Sequence, residues 1–487
     1  MRIFLFFILG ALIGIRWLRW LGVVQQKEYR WHRLRHFIMT DEGQRELIRL
    51  FPQTSDFSRT GLKRPKFTPR IGFTAVISLF LMFIVANLLP LLFSLIIIWF
   101  FTPLLVLLAI VPSSLIHYLV TLVYASRAQQ LINQAKPTII GITGSFGKTS
   151  TKLVLQHVLS QKFSVFATQK SFNTRLSLAQ DICQRYSQEK LVIIEFAAYR
   201  LGEIAWSAKR FQPHLAVLTG LTDQHLGLFG SREKIIEAKS ELVQALPKDA
   251  VVFINAKSPG TRLIAHKGQA DRIQPYCDPD SNLAVTQVKL NDQAQLCFSY
   301  KDQQVKTRLV GKQYLAACCA AIQVAQYLGL SQPEIIQGLE TFNPADYSEY
   351  FVQFYQSRQG FWVLDDGRSS NPAGFKVAIQ LAVEIEQQKN INRIILITAG
   401  IVDLGSRSEE IHAQLAQRAR PIMDEVFYLG QPGRSQFQRV FTQDLSTQVN
   451  QIKHQLSQLD KNDMVVIEGL IPLWLKNYLR RSEQLAK

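Results

Sequence analysis

The residues whose types and spacing point most directly to chemistry are Gly144-Ser145-Phe146-Gly147-Lys148-Thr149-Ser150, directly after an apolar run containing Ile139, Ile140 and Ile142. The two glycines let backbone N–H groups turn inward with no Cβ in the way. A helix starting beyond them adds partial positive charge, so strand, loop and helix together make a phosphate cradle. Lys148 can then reach β- and γ-phosphates, and the Thr149 hydroxyl can ligate Mg²⁺. The spacing departs from the common phosphate loop, because Ile142 occupies the outer glycine position and Gly141 stands one residue earlier. A helix is expected from about Lys152 onward.

Four further clusters follow, three of them where apolar strands end, the usual place for ligand residues in open α/β sheets, and one on a helix. Leu191-Val192-Ile193-Ile194 ends on Glu195, followed by Gly202-Glu203-Ile204. The run 215–219 leads to Asp223-Gln224-His225-Leu226 and Phe229-Gly230-Ser231. Ala238-Lys239-Ser240-Glu241 follows on a helical stretch, and Asp365-Asp366 ends another strand shortly before Asn371-Pro372. Taken singly, each has an ordinary structural reading. Glu195 could cap a helix or pair with Arg200, His225 could be a loop histidine, Lys239 a solvated helix lysine and Asp366 a turn residue.

The elements that must position these groups read as α/β from residue 137 onward. Apolar strands are expected at 138–143, 163–167, 191–196, 215–219 and 250–254, with helices at 151–161, 174–187 and 231–246 between them, as parallel-sheet units require. From 284 to 310 short alternating strands suggest an antiparallel patch. Gly311 marks a boundary, an alanine-rich helix follows at 313–328, and a second α/β run has strands near 361–364, 393–398, 425–429 and 464–467.

The first 136 residues differ in kind. Residues 72–123 are apolar and uncharged, about twice what one membrane helix needs, with Pro90 and Pro103 as punctuation. Two spans are expected, about 72–90 and 91–123. A third apolar stretch at about 3–22 has no small-residue cleavage site, so it reads as an uncleaved span, with Arg16, Arg19 and the tryptophans Trp17 and Trp20 as interfacial anchors. Residues 1–71 hold 14 Lys/Arg against 5 Asp/Glu, half of the chain's net charge of +18, mostly in the segment 23–71. Positive charge beside membrane spans places that segment in the cytoplasm and returns residue 124 to the same side. It is explained by topology and anionic lipid, so no nucleic-acid partner is expected. The five cysteines show no metal-ligand spacing and fit a reducing compartment.

Taken in order, the loop at 144–150, Glu195 with Gly202-Glu203-Ile204, His225-Leu226 with Phe229-Gly230-Ser231, Ala238-Lys239-Ser240-Glu241, Asp365-Asp366 with Asn371-Pro372, and Asp403-Leu404-Gly405 resemble the Mur ligases over residues 137–480. Within that family they are most similar to the ligases that add D-alanyl-D-alanine. The resemblance implies a central ATP-binding α/β domain at 137–310 and a Rossmann-like C-terminal α/β domain at 311–487, behind a membrane region at 1–136. It implies ATP and Mg²⁺, a cell-wall precursor carboxylate activated as an acyl phosphate, and an incoming amine.

By the same resemblance Gly144, Ser145, Phe146, Gly147, Lys148, Thr149, Ser150, Asp366, Arg368 and Asn371 would bind nucleotide. Thr149, Glu195, His225 and a carbamylated Lys239 would hold metal, and Lys148, His225 and Lys239 would be catalytic. The implied location is the bacterial cytoplasmic membrane, with the ligase domains in the cytoplasm. The sequence departs from the family at three places. Residues 1–136 replace the domain that binds the UDP part of the precursor, Ala317 stands where an adenine-contacting Asn is expected, and Ser348 stands where an arginine would reach the γ-phosphate. Arg368 is the candidate substitute for that charge. The alternatives are a poly-γ-glutamate or folylpolyglutamate type of ligase, or an ATP-binding membrane scaffold that has lost turnover.

Overall fold

The computed structural model describes residues 2–53, 65–221, 229, 231–277, 285–367, 371–402, 404 and 407–479. The chain divides into two compact units, 1–124 and 125–487.

In the first unit, apolar composition produces helices long and apolar enough to cross a membrane: Phe6–Gln26, Pro69–Leu88 and Leu91–Ala135, the last reaching into the second unit. Pro90 separates the second from the third, but Pro103 and Pro112 lie inside the third helix instead of ending it. Beside Pro103, Thr102 Oγ1 folds back and donates to Ile98 O at 2.6 Å. The segment 23–71 is not a bare loop. It contains the helices Trp31–Ile38 and Asp41–Ile48, and Leu34 and Phe37 pack in one apolar cluster with Trp20, Val24, Ile71 and Val106.

Arg16, Arg19 and Trp20, expected as interfacial anchors, are buried instead. Arg16 donates to the Leu47 and Arg49 carbonyls, each at 2.8 Å, and so satisfies the C-terminal end of the helix Asp41–Ile48. Arg19 forms an ion pair with Glu46. A carboxylate and carbonyls brought back from the loop thus explain why these arginines lie inside.

In the second unit, a six-stranded parallel sheet has the order β2-β3-β1-β4-β5-β6, from Thr138–Thr143 (β1), Val165–Ala167 (β2), Leu191–Glu195 (β3), Leu215–Leu218 (β4), Val251–Asn255 (β5) and Arg272–Tyr276 (β6). Strands β3, β4 and β5 are buried throughout, as their unbroken apolar runs require of a sheet covered on both faces. Strand β1 lies at the centre with β3 on one side and β4 on the other, so successive crossovers leave it in opposite directions. That switch point opens a crevice at the carboxyl ends of the strands.

A three-stranded antiparallel sheet follows, formed by Val285–Leu290 (β7), Gln295–Tyr300 (β8) and Gln303–Val310 (β9). The alanine-rich helix Leu315–Tyr327 then packs on the helix Lys148–Leu159, where Ala317, Cys318, Ala320 and Ala321 permit close approach. A second sheet has the order β10-β11-β15-β12-β13-β14, from Gln353–Gln356 (β10), Trp362–Asp366 (β11), Arg393–Thr398 (β12), Glu425–Tyr428 (β13), Leu445–Ser446 (β14) and Asp463–Glu468 (β15). It is parallel except for the edge strand β10. Asp366, Glu468 and Thr398 stand side by side at the ends of β11, β15 and β12.

Candidate functional site

The helix after the loop starts at Lys148, earlier than the expected Lys152, with Gly147 as its N-cap at φ +72°. Lys148 and Thr149 therefore sit in the first helical turn, where free N–H groups already favour an anion. The loop is tied to the end of β4. Thr219 Oγ1 donates to Phe146 O at 2.6 Å, Ser145 N donates to Gly220 O at 2.7 Å, and Asn255 Nδ2 holds Thr219 O at 2.8 Å.

Gly144 is required by this close approach, because a Cβ there would lie 2.1 Å from Thr219 Oγ1 and 3.0 Å from Gly220 backbone atoms. Gly144→Ala is expected to destabilise the fold by about 1–3 kcal/mol, the usual cost of overpacking. Thermal unfolding and nucleotide titration would measure this, and nucleotide affinity should fall with the displaced loop.

Two ammonium groups converge on one loop carbonyl. Lys148 Nζ donates to Gly144 O at 3.0 Å, and Lys239 Nζ, from the helix Arg232–Gln244, donates to the same oxygen at 2.8 Å. Burial holds Lys239 well below the ordinary lysine range, and the neighbouring Lys148 charge pushes it the same way. Lys148 is also lowered by burial, with Glu195 opposing the shift.

Glu195, 1% exposed at the end of β3, accepts from Thr149 Oγ1 at 2.9 Å and from Asn173 Nδ2 at 3.3 Å. Its ion-pair partner is Lys152, whose Nζ lies 3.3 Å from Oε2, with both side chains buried. Lys152 also donates to the Lys170 carbonyl. Sequence reading missed Lys152 and Asn173. The available signal was helical spacing, since Lys152 follows Lys148 by one turn and lies on the same face.

The loop Ser145–Ser150 forms one side of a cleft of about 1740 Å³ whose other side includes Asp365, Asp366, Gly367, Asn371 and Lys476. This volume exceeds a usual small-ligand pocket of about 300–1,000 Å³, which suits a nucleotide with a second substrate. Asn371 caps the helix Pro372–Lys389 by accepting from Ala373 N and Gly374 N at 3.1 and 3.0 Å. Ser348 lines the cleft, whereas Ala317 is buried in helix packing and does not line it. His225, Arg368, Asp403 and Gly405 lie outside the described residues, so the structure places neither the second metal-ligand candidate nor the substitute arginine. Among the described residues, no group of three or more His, Cys, Asp or Glu side chains is gathered as a metal site.

Asp366 is pushed up to about 7, first by burial and then by Asp365, while Glu468 pulls the other way. An unfolded aspartate titrates near about 3.9. Between about pH 4 and 7 the folded chain keeps a proton that the unfolded chain has lost, so this residue lowers stability as pH rises through that window. Asp366→Asn removes that slope. Its unfolding midpoint should gain on the parent between pH 4 and 7 and run parallel above it; a constant offset across the window would contradict the assignment.

Residues 142–325 match the family model described as the Mur ligase middle domain. The UDP-N-acetylmuramoyl-tripeptide--D-alanyl-D-alanine ligase of Mycobacterium tuberculosis is 30% identical over 287 residues, covering 58% of this chain and 56% of that protein. The corresponding ligase of Bacillus subtilis is 24% identical over 309 residues, covering 63% and 65%. The chain thus spans little more than half the length of the mycobacterial relative it matches. Among solved structures, MurF from Acinetobacter baumannii superposes with a TM-score of 0.62 at 24% identity, covering 72% of this chain and 76% of that one. At that identity the likeness is one of fold.

Proposed function

We propose, from the premise that this chain belongs to the Mur ligase family, that it is a membrane-anchored, ATP-dependent ligase of the bacterial cytoplasmic membrane. It would join an amine, D-alanyl-D-alanine or a close analogue, to the carboxylate of a peptidoglycan precursor through an acyl phosphate. The observation that carries this reading is the convergence of Lys148 and Lys239 on Gly144 O, beside the Thr149–Glu195 pair at the switch point. Two anions, the γ-phosphate and a carboxylate, must meet before they react, so charge neutralisation comes first.

Lys148 and the first-turn N–H groups would hold the phosphates. Thr149 and Glu195 fit Mg²⁺, because a hydroxyl and a carboxylate 2.9 Å apart are hard oxygen donors next to the cradle. Bound there, the ion would supply positive charge to the phosphate oxygens. Lys239 fits carbamylation, since CO₂ adds to a neutral amine and burial keeps this one well below the ordinary lysine range; as a carbamate it would carry negative charge for a metal, leaving Lys148 and the ion to neutralise the reacting anions. The three helices long and apolar enough to span a bilayer support anchoring, with the ligase domains on the cytoplasmic side.

The test is to incubate the full chain with ATP, Mg²⁺, UDP-muramoyl tripeptide and D-alanyl-D-alanine, following phosphate release and pentapeptide together. Phosphate release indifferent to both substrates would reject this reading. Nucleotide binding without turnover would favour a scaffold instead, the reading that Ser348 in the cleft supports.

A further inference from the structure

Two guanidinium groups, Arg30 and Arg70, come near each other where the apolar helices of the first unit end. The helix Arg2–Gln26 closes with two consecutive non-glycine residues in left-handed conformation, Glu28 at φ +57° and Tyr29 at φ +56°. Such conformations cost about 1–3 kcal/mol each and persist where the surroundings impose them, often at ligand sites. Here they set Glu28 against Arg30 at 3.3 Å and Arg33 at 2.9 Å. They also lay the Tyr29 ring against Arg70, whose guanidinium carbon is 4.1 Å from the ring centroid. A clamp fixes the approach to Arg70, because Gln25 accepts from Lys66 N at 2.6 Å and donates to Lys66 O at 2.7 Å.

Arg70 is the second residue of the helix Pro69–Leu88. It donates to Ser114 Oγ at 3.1 Å, and Arg30 lies close enough for the two charges to act on each other. Its Nε is buried without a hydrogen-bond partner, and no carboxylate pairs with it among the described residues. A half-buried guanidinium in the first turn of an apolar helix already faces the positive end of the helix dipole, so an anion is needed there. At the rim of a membrane-spanning segment the anion at hand is the phosphate of a lipid.

We infer that Arg70, Arg30 and the Ser114 hydroxyl, shaped by Tyr29, bind the phosphate ester of a membrane lipid at the cytoplasmic end of the helices. The site rests on the membrane reading of those helices and not on ligase turnover. Arg70 supplies the planar fork that matches two phosphate oxygens, Ser114 fixes the plane of that fork, and Arg30 adds the second charge.

The test is native mass spectrometry of the detergent-purified full chain, titrated in separate arms with phosphatidylglycerol, a polyisoprenyl monophosphate and inorganic phosphate, without ATP. One or both lipids should give a saturable adduct that inorganic phosphate does not displace; which lipid is retained identifies the source. Arg70→Met should lower lipid occupancy about tenfold, the worth of a lost charge-assisted bidentate contact. Ser114→Ala should lower it less, and Arg70→Lys should restore only part. The exposed Arg35→Met is the control for net charge and should leave occupancy unchanged. Equal losses in the Arg70 and Arg35 variants, or displacement by inorganic phosphate, would overturn the site. Release of the chain from membranes by alkaline carbonate would overturn the membrane reading beneath it, separately from any ligase assay.

Discussion

On the proposed ligase reading, Lys148→Met is expected to lower ATP-dependent product formation by about 10²–10³-fold, the usual cost of removing a preorganised charge from a site where negative charge develops. Its ammonium is half-buried and held on Gly144 O at 3.0 Å, so it already lies at the loop that phosphate would enter. The fold should survive. Methionine keeps most of the stem, and removing this charge relieves its repulsion of Lys239. Phosphate release and product formation should fall together while the unfolding midpoint stays near that of the parent. A variant that retains turnover would show that phosphate charge is neutralised elsewhere in the cleft, where Lys170 and Lys476 are the other lysines among the described lining residues.

Lys152→Met should act in the opposite way, on stability first. Its ammonium is the ion-pair partner of Glu195 at 3.3 Å, with both groups buried. Breaking a buried pair by removing one member leaves an uncompensated charge and costs about 3–5 kcal/mol. Thr149 and Asn173 continue to donate to the carboxylate, which holds the loss within that range. The double variant Lys152→Met with Glu195→Gln should recover most of the stability, because the stranded charge is gone. It should not recover turnover, since Glu195 is also the proposed metal ligand. Thermal unfolding of the four proteins in the double-mutant cycle, with ATP turnover measured alongside, separates the two effects. Additive stability losses would show that the pair is not coupled.

The two lysines illustrate what kind of information each level holds. Lys148 stands out in the sequence because the pattern around it is local: two glycines, a lysine and a threonine in one short stretch, after a buried strand. The strands at 138–143 and 393–398 were legible to the residue, since a run of branched apolar side chains buried on both sides admits few other conformations. The start of the following helix was misplaced by four residues, because a left-handed glycine cap at Gly147 is a matter of backbone geometry. Glu195 was legible as a carboxylate at a strand end, but its partner was not. Arg200 is nearer in sequence, yet Lys152 reaches it from the helix that follows the neighbouring strand β1.

The sequence by itself determined the α/β class, the glycine loop between a strand and a helix, the apolar helices and the order of the polar clusters. Each of these follows from local spacing and from the period of apolar residues. The tertiary structure decided which charges meet. It brought Lys239 to Gly144 O from 95 positions away and buried it, which turns a helix lysine into an amine held well below its ordinary range. It also folded the segment 23–71 back so that Glu46 and the Leu47 and Arg49 carbonyls hold Arg19 and Arg16 inside. The physical reason is common to both cases. Desolvation and ion pairing depend on distances between remote parts of the chain, and no local pattern encodes them.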